Sequence, residues 1–295
     1  MATPGEQRFG QLGSGESIEA VCTAAGIDRA EFDRWWCATI QQRARMNSGQ
    51  IPANVSTNVA IHRDSHGIPH IHAKTDRDLF FGYGWAMAED RLFQLDWLRR
   101  KGLGRLSEII GTDGLELDRV ARTVVLNRIA ATEWARLPPE VKQLLEAYSE
   151  GVNAVIAACG DNPPVEFDLL QYRPEPWSPV DCLAIEVEFR WYLTGRFPVI
   201  CMPELAKRAL GAGLLFREHL LAEDDDESIL HPGDYEPRIG QPLEPVGESV
   251  ADPDASTGSN NWVVSGRRTA TGAPLLASDP HIAFEAVSCW PWQRE

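Results

Sequence analysis

The chain has 295 residues, 43% of them hydrophobic, and a formal net charge of −15. That is enough apolar residue for one large domain or two smaller ones. The acidity repels phosphate backbones, which argues against a nucleic-acid partner, and no apolar run approaches the roughly 20 residues that cross a bilayer. The charge is local: eleven acidic residues and one basic residue, Arg238, fall between Glu223 and Gly258, so −10 of the total sits there.

Met1 to Gly15 is polar and glycine-rich, without the basic start and apolar core of a secretory signal. Cys22, Cys37, Cys159, Cys182, Cys201 and Cys289 are scattered and form no CxxC pair. The expectation is reduced thiols in a cytoplasmic protein rather than a zinc knuckle or a disulfide scaffold. Residues 14–47 read as two helices. Ile18, Val21, Cys22 and Ala25 recur at helical spacing, Gly26 stops the first helix, and Asp28 with Glu31 opens the second. The unit is similar in outline to a helix-turn-helix, but Glu31 and Asp33 beside Arg34 deny it a basic face, so packing against the body is the better reading.

A polar connector over 48–58 precedes a hairpin, with strands at 59–64 and 68–73 around the turn Asp64-Ser65-His66-Gly67. His70 and His72 share a strand face, but no carboxylate-rich motif stands near them to make a zinc site. From Asp76, which can cap it, to about Leu106 the pattern is helical, and Gly82 and Gly84 permit close backbone packing. Further helices are expected over 116–135, 138–158, 179–193 and 203–221, with an irregular crossing at 160–178. After the acidic stretch, Trp262 to Ser265 and Pro274 to Ala277 read as strands around the turn 269–273.

Several ordered segments resemble the penicillin acylase family of N-terminal-nucleophile amidohydrolases. They are Arg63-Asp64 with Gly67-Ile68-Pro69-His70-Ile71, the run from Phe81 to Asp96, Tyr148 to Ala154, and Trp177 to Asp181. The junction Gly258-Ser259-Asn260-Asn261-Trp262, with Leu275 to His281, is similar to the start of that family's β-chain. The resemblance covers most of 59–290 and leaves the first 50 residues outside. It implies an α+β fold, the mostly helical α-chain part of an αββα sandwich with only the first β-chain strands present. The corresponding division is 1–50 as a helical hairpin and connector, 51–222 as the α-chain-like region, 223–258 as an acidic spacer and 259–295 as the β-chain start.

The resemblance also implies chemistry. Scission between Gly258 and Ser259 places a hydroxyl and a free α-amine on one residue, a nucleophile with its own base. His281 is implied beside it, and histidine at that position is more like the cephalosporin and acyl-homoserine-lactone acylases than the penicillin G enzymes. Leu193, Arg196 and Phe197 fall where relatives line the acyl pocket, and Glu204 where they bind a structural calcium; no organic cofactor is implied. Each has a plainer reading: Ser259 as a strand-start serine, His281 as a loop histidine, Arg196 and Phe197 as helix-end packing, Glu204 as a surface residue opening a helix after Pro203. The expected substrate is a small N-acyl compound: a β-lactam side chain, an acyl-homoserine lactone or a lipopeptide. Relatives have a β-chain of several hundred residues, against 37 here from Ser259 to Glu295. The expectation is therefore a truncated member that needs the missing β-chain, within one polypeptide or as a separate subunit of an α/β heterodimer. The alternative is an inactive remnant or partner subunit without an oxyanion hole.

Overall fold

The computed structural model describes residues 3–43, 49–194, 196–211, 213 and 260–279. The chain divides after Leu193 into two compact units. In the first, the helical pair expected over 14–47 is preceded by a third helix, α1 (Pro4–Gly13). Its signal is local: Thr3 accepts from the Glu6 N–H, and the Glu6 carboxylate accepts from the Thr3 N–H, a capping box with Pro4 at the first helical position. α2 (Ile18–Ala25) starts on Ser17 and ends in Gly26, whose φ of 66° is left-handed. α3 (Arg29–Arg43) starts where the Asp28 carboxylate accepts from the Glu31 N–H at 2.7 Å. The three helices share a small core of Val21, Cys22 and Phe32, flanked by Trp35 and Trp36.

β1 (Ala60–Arg63) and β2 (Pro69–His72) form the expected antiparallel hairpin, with Ile61 opposite Ile71 and His62 opposite His70. α4 (Asp76–Leu103) follows. Its cap is Thr75 rather than Asp76: the Thr75 hydroxyl accepts from the Asp78 N–H, and Asp76 lies in the first turn. The helix kinks at Arg91, where φ is −138°. α5 (Ser107–Ile110) and a short 3₁₀ turn lead into α6 (Leu115–Val124) and α7 (Leu126–Arg136). These two replace the single helix expected over 116–135, because Val125 adopts φ 60° and breaks it. α8 (Pro139–Cys159) and α10 (Pro179–Leu193) match expectation closely. Between them, α9 (Val165–Leu169) interrupts the crossing read as irregular.

The first unit is built on α4 and α8, which pack backbone to backbone. A Cβ on Gly84 would lie 2.0 Å from the Tyr148 carbonyl oxygen, and one on Gly151 2.1 Å from that of Phe81. Around this contact Phe81, Trp85, Leu92, Leu95, Val152 and Phe167 make the main core. Burial of side chains this large contributes about 1.5–3 kcal/mol each. The far end of α4 is held electrostatically. Buried Asp96 accepts from Arg99 Nε at 2.8 Å, Arg100 Nε at 2.9 Å and the Tyr172 hydroxyl at 2.8 Å. Tyr172 stays protonated, its phenol pushed well above its usual range by burial and by the Asp96 charge.

The second unit holds α11 (Arg196–Leu210) and a hairpin of β3 (Asn260–Val264) and β4 (Leu275–Asp279). The helix expected to open at Pro203–Glu204 begins instead at Arg196, so both residues lie inside it. Positions 214–221 of that expected helix and the acidic stretch 223–258 are outside the described residues. Among the described residues, no helix is long and apolar enough to cross a membrane.

Candidate active site

β3 and β4 pair antiparallel in the register Asn260 to Asp279, Trp262 to Ala277 and Val264 to Leu275. Their connection is tight. The Thr269 hydroxyl donates to the Ala273 carbonyl at 2.7 Å, and a Cβ on Gly266 would lie 2.2 Å from the Gly272 oxygen. The register bears on the catalytic candidates. Gly258, Ser259 and His281 lie outside the described residues, but their neighbours Asn260 and Asp279 are directly opposite each other.

The alternation of side chains puts Trp262, Val264, Leu275 and Ala277 on one face of this hairpin and Val263 with Leu276 on the other. The second face also carries Asn261 opposite Ser278, and Trp262, Val263, Leu275 and Leu276 are all exposed.

The other candidates divide between the units. Leu193, 62% exposed, closes α10 in the first. Arg196 and Phe197 open α11 in the second, with side chains outside the described set. Glu204 is exposed on α11, and its Oε1 accepts from Arg208 Nε at 3.0 Å. Among the described residues, no group of three His, Cys, Asp or Glu side chains is placed to hold a metal ion. A hard cation takes six to eight oxygens, so the described residues do not by themselves fit calcium at Glu204.

The first unit's hairpin carries two polar features, the first of which ties it to α4. Arg63 bridges to Glu89 and Asp90, each at 2.8 Å. Asp64 closes the turn by accepting from the His66 and Ile68 N–H groups, and its other oxygen pairs with the His70 ring at 3.2 Å. The His70 hydrogen bond, then the His66 N–H, hold the Asp64 carboxyl down at about 2. Sequence reasoning missed a cavity of about 950 Å³ between the connector at 49–59, β1 and the start of α4. No local motif announces it, because its walls come from two separate stretches of chain, 49–63 and 81–89.

The family model and the curated relatives point to one family. The penicillin amidase family model matches residues 58–294. Penicillin acylase 2 proenzyme of Pseudomonas sp. strain SE83 is 35% identical over 78% of this chain and 31% of its own length. Acyl-homoserine lactone acylase QuiP of Pseudomonas aeruginosa is 28% identical over 98% of this chain and 35% of its own. A chain of the thermostable penicillin G acylase from Alcaligenes faecalis aligns at 25% identity and a TM-score of 0.49, over 59% of this chain and 97% of that one. The described residues form a mostly helical chain with two short hairpins, and the chain belongs to the penicillin amidase family. It spans about a third of the length of these two Pseudomonas relatives.

Proposed function

We propose that this chain is the amino-terminal part of a self-cleaving amidohydrolase, in which Ser259 becomes the catalytic amino-terminus and attacks a linear amide of an N-acyl compound. The observation that carries the proposal is the family match over residues 58–294, a span that includes Gly258, Ser259 and His281. An α-amine has a reference pKa near 8, so at neutral pH a fraction is free to accept the Ser259 hydroxyl proton, directly or through one water. The alkoxide attacks the acyl carbonyl, the amine leaves with a proton, and water hydrolyses the resulting ester. The same hydroxyl, acting on the Gly258 carbonyl by an N-to-O shift, makes the new terminus. His281 presents its backbone N–H to the reacting oxygen. Each such donor is worth on the order of 10²–10³ in rate, and the remaining donors come from outside this chain.

Relatives named for penicillin and for acyl-homoserine lactone acylation frame the substrate class. Leu193 and Phe197 offer apolar surface to the acyl group, and Arg196 a charge for a polar end. A structural calcium at Glu204 requires oxygen donors from the rest of the protein and release of Arg208. The partner is the missing β-chain, which would cover the exposed Trp262, Val263, Leu275 and Leu276 of the hairpin. The test is to join this chain to the carboxyl-terminal two thirds of the Pseudomonas SE83 proenzyme. The expected result is a new terminus at Ser259 by mass spectrometry and hydrolysis of N-acyl amides; Ser259→Ala leaves the precursor uncut and amide hydrolysis at background. Hydrolysis by an uncut chain, or by the alanine variant, rules the mechanism out. Absence of both activities from a folded product favours the second reading, a non-catalytic partner subunit.

A further inference from the structure

We propose that the helical module at residues 3–43 is a clamp on the crossing between α8 and α10: it holds α9 in the main core, and it stays docked when the chain between module and body is cut. The first observation is that the module is a unit of its own. α1, α2 and α3 share the core of Val21, Cys22 and Phe32, and all three precede the family match at 58–294. The chain that leaves the module is anchored separately on the body, where Ser56 and Thr57 donate to buried Asp78. The connector brings the module near the body, and the module's seat is set by contacts of its own.

The second observation is that seat. Arg43, the last residue of α3, donates from Nη1 to the Pro163 carbonyl at 2.7 Å and pairs with the Asp168 carboxylate. Its guanidinium lies 5.1 Å from the centre of the Phe9 ring, so one side chain joins α1, α3 and the crossing. Both members of the pair are largely buried, with side chains 12% and 8% exposed. Salt screens such a pair poorly, and removing one partner leaves the other charge buried and uncompensated. Beside it α1 meets α9 backbone to backbone: a Cβ on Gly13 would overlap the Leu169 carbonyl oxygen. Gln171, whose side-chain nitrogen would stand 3.0 Å from a Cβ on Gly10, has φ 56°, a left-handed conformation uncommon outside glycine.

The third observation is what the crossing does on its other side. α9 has five residues, too few for a helix to hold itself in water, so packing decides whether it persists. Phe167 is fully buried in the main core, with its ring centre 5.6 Å from that of Phe93 and 4.9 Å from that of Tyr172. Tyr172 in turn donates to Asp96, and Arg99 donates to the Glu175 and Pro176 carbonyls, each at 3.0 Å. The segment from Pro163 to Pro176 is thus gripped between the module and the charged end of α4. Release of the module removes one side of that grip. The inference concerns the folded chain alone and does not rest on the amidase reading.

The test is to place a protease recognition sequence between Arg43 and Gly49 of the full chain, cut it, and follow the amino-terminal fragment by size exclusion and mass spectrometry. Residue-resolved amide hydrogen exchange is read alongside. The fragment is expected to stay with the body at micromolar concentration. Diluting the cut chain until the fragment leaves is expected to speed exchange about tenfold or more at the Phe167, Leu170 and Tyr172 amides, which donate within the crossing, and to leave Val152 and Val155 of α8 unchanged. Arg43→Met is expected to weaken retention about thirtyfold or more. Gly13→Val, which keeps the ion pair, is expected to weaken it too, whereas Gly5→Ala, whose Cβ meets nothing nearer than 4.0 Å, is not. Three results overturn the proposal: a fragment that separates from the body at micromolar concentration with Arg43 intact, retention unaffected by Arg43→Met, or release that leaves the Phe167, Leu170 and Tyr172 amides as slow as before. The dilution arm uses the unsubstituted chain, so the test does not depend on either variant folding.

Discussion

Asp96 and Asp78 show at single residues how this fold uses buried carboxylates. Asp96 neutralises two guanidiniums inside α4's packed end, and its loss leaves Arg99 and Arg100 buried without that partner. We expect Asp96→Ala to cost about 3–5 kcal/mol, read by urea unfolding. Asp78 is fully buried and accepts from the N–H and hydroxyl groups of both Ser56 and Thr57, which pins the connector to α4. Burial raises its carboxyl, but the Ser56 and Thr57 hydrogen bonds outweigh it and hold the group well below the usual carboxylate range. A depressed folded pKa means that the stabilising contribution is complete above the unfolded value of about 4 and is lost as pH falls toward the folded value. Asp64 adds a second acid-sensitive contribution, lost between about pH 4 and about 2. The expected outcome is a thermal midpoint that falls with acidification below about pH 4, less steeply in Asp78→Asn. An equal slope in that variant excludes Asp78 as a source.

At the scale of elements, the α4–α8 contact depends on two positions without a side chain. Gly84 and Gly151 each face a carbonyl oxygen of the opposing helix near 2 Å from where a Cβ would stand, and backbone cannot step aside as a side chain can. Gly151→Ala or Gly84→Ala is expected to cost about 1–3 kcal/mol or more through forced separation of the helices, despite alanine's higher helix propensity. Gly82→Ala meets only the Val59 and Ile71 methyl groups, at 2.7 and 2.8 Å, and is expected to cost less. The order of the three unfolding midpoints checks the argument.

For the molecule as a whole, the outstanding feature is the β3–β4 hairpin, whose Trp262, Val263, Leu275 and Leu276 are large, apolar and exposed. Strands of that composition belong inside a sandwich rather than at a surface. The chain on its own is expected to self-associate, and Val263→Thr with Leu276→Lys to reduce this without moving the thermal midpoint of the first unit. Light scattering against concentration, with thermal unfolding alongside, tests both parts.

Much of this was legible in the linear order of residues. α8 and α10 were readable from prolines at their starts and apolar spacing, the β1–β2 hairpin from Asp64 to Gly67, and the family from motifs that keep their order from Arg63 to His281. The catalytic candidates Ser259 and His281 rest on that resemblance and lie outside the described residues. What sequence left open was decided by contacts between distant segments. Val125 takes a left-handed conformation that no valine favours by itself, where Asp118 turns back to accept from the Leu106 and Ser107 N–H groups. α11 starts at Arg196 and runs through Pro203, against that residue's helix-breaking preference. The groove along β1 exists only because the connector, a strand and α4 meet. Caps, turns and periodicity are written within a few residues of where they act; breaks, cavities and open edges are settled by whatever the rest of the chain packs against them.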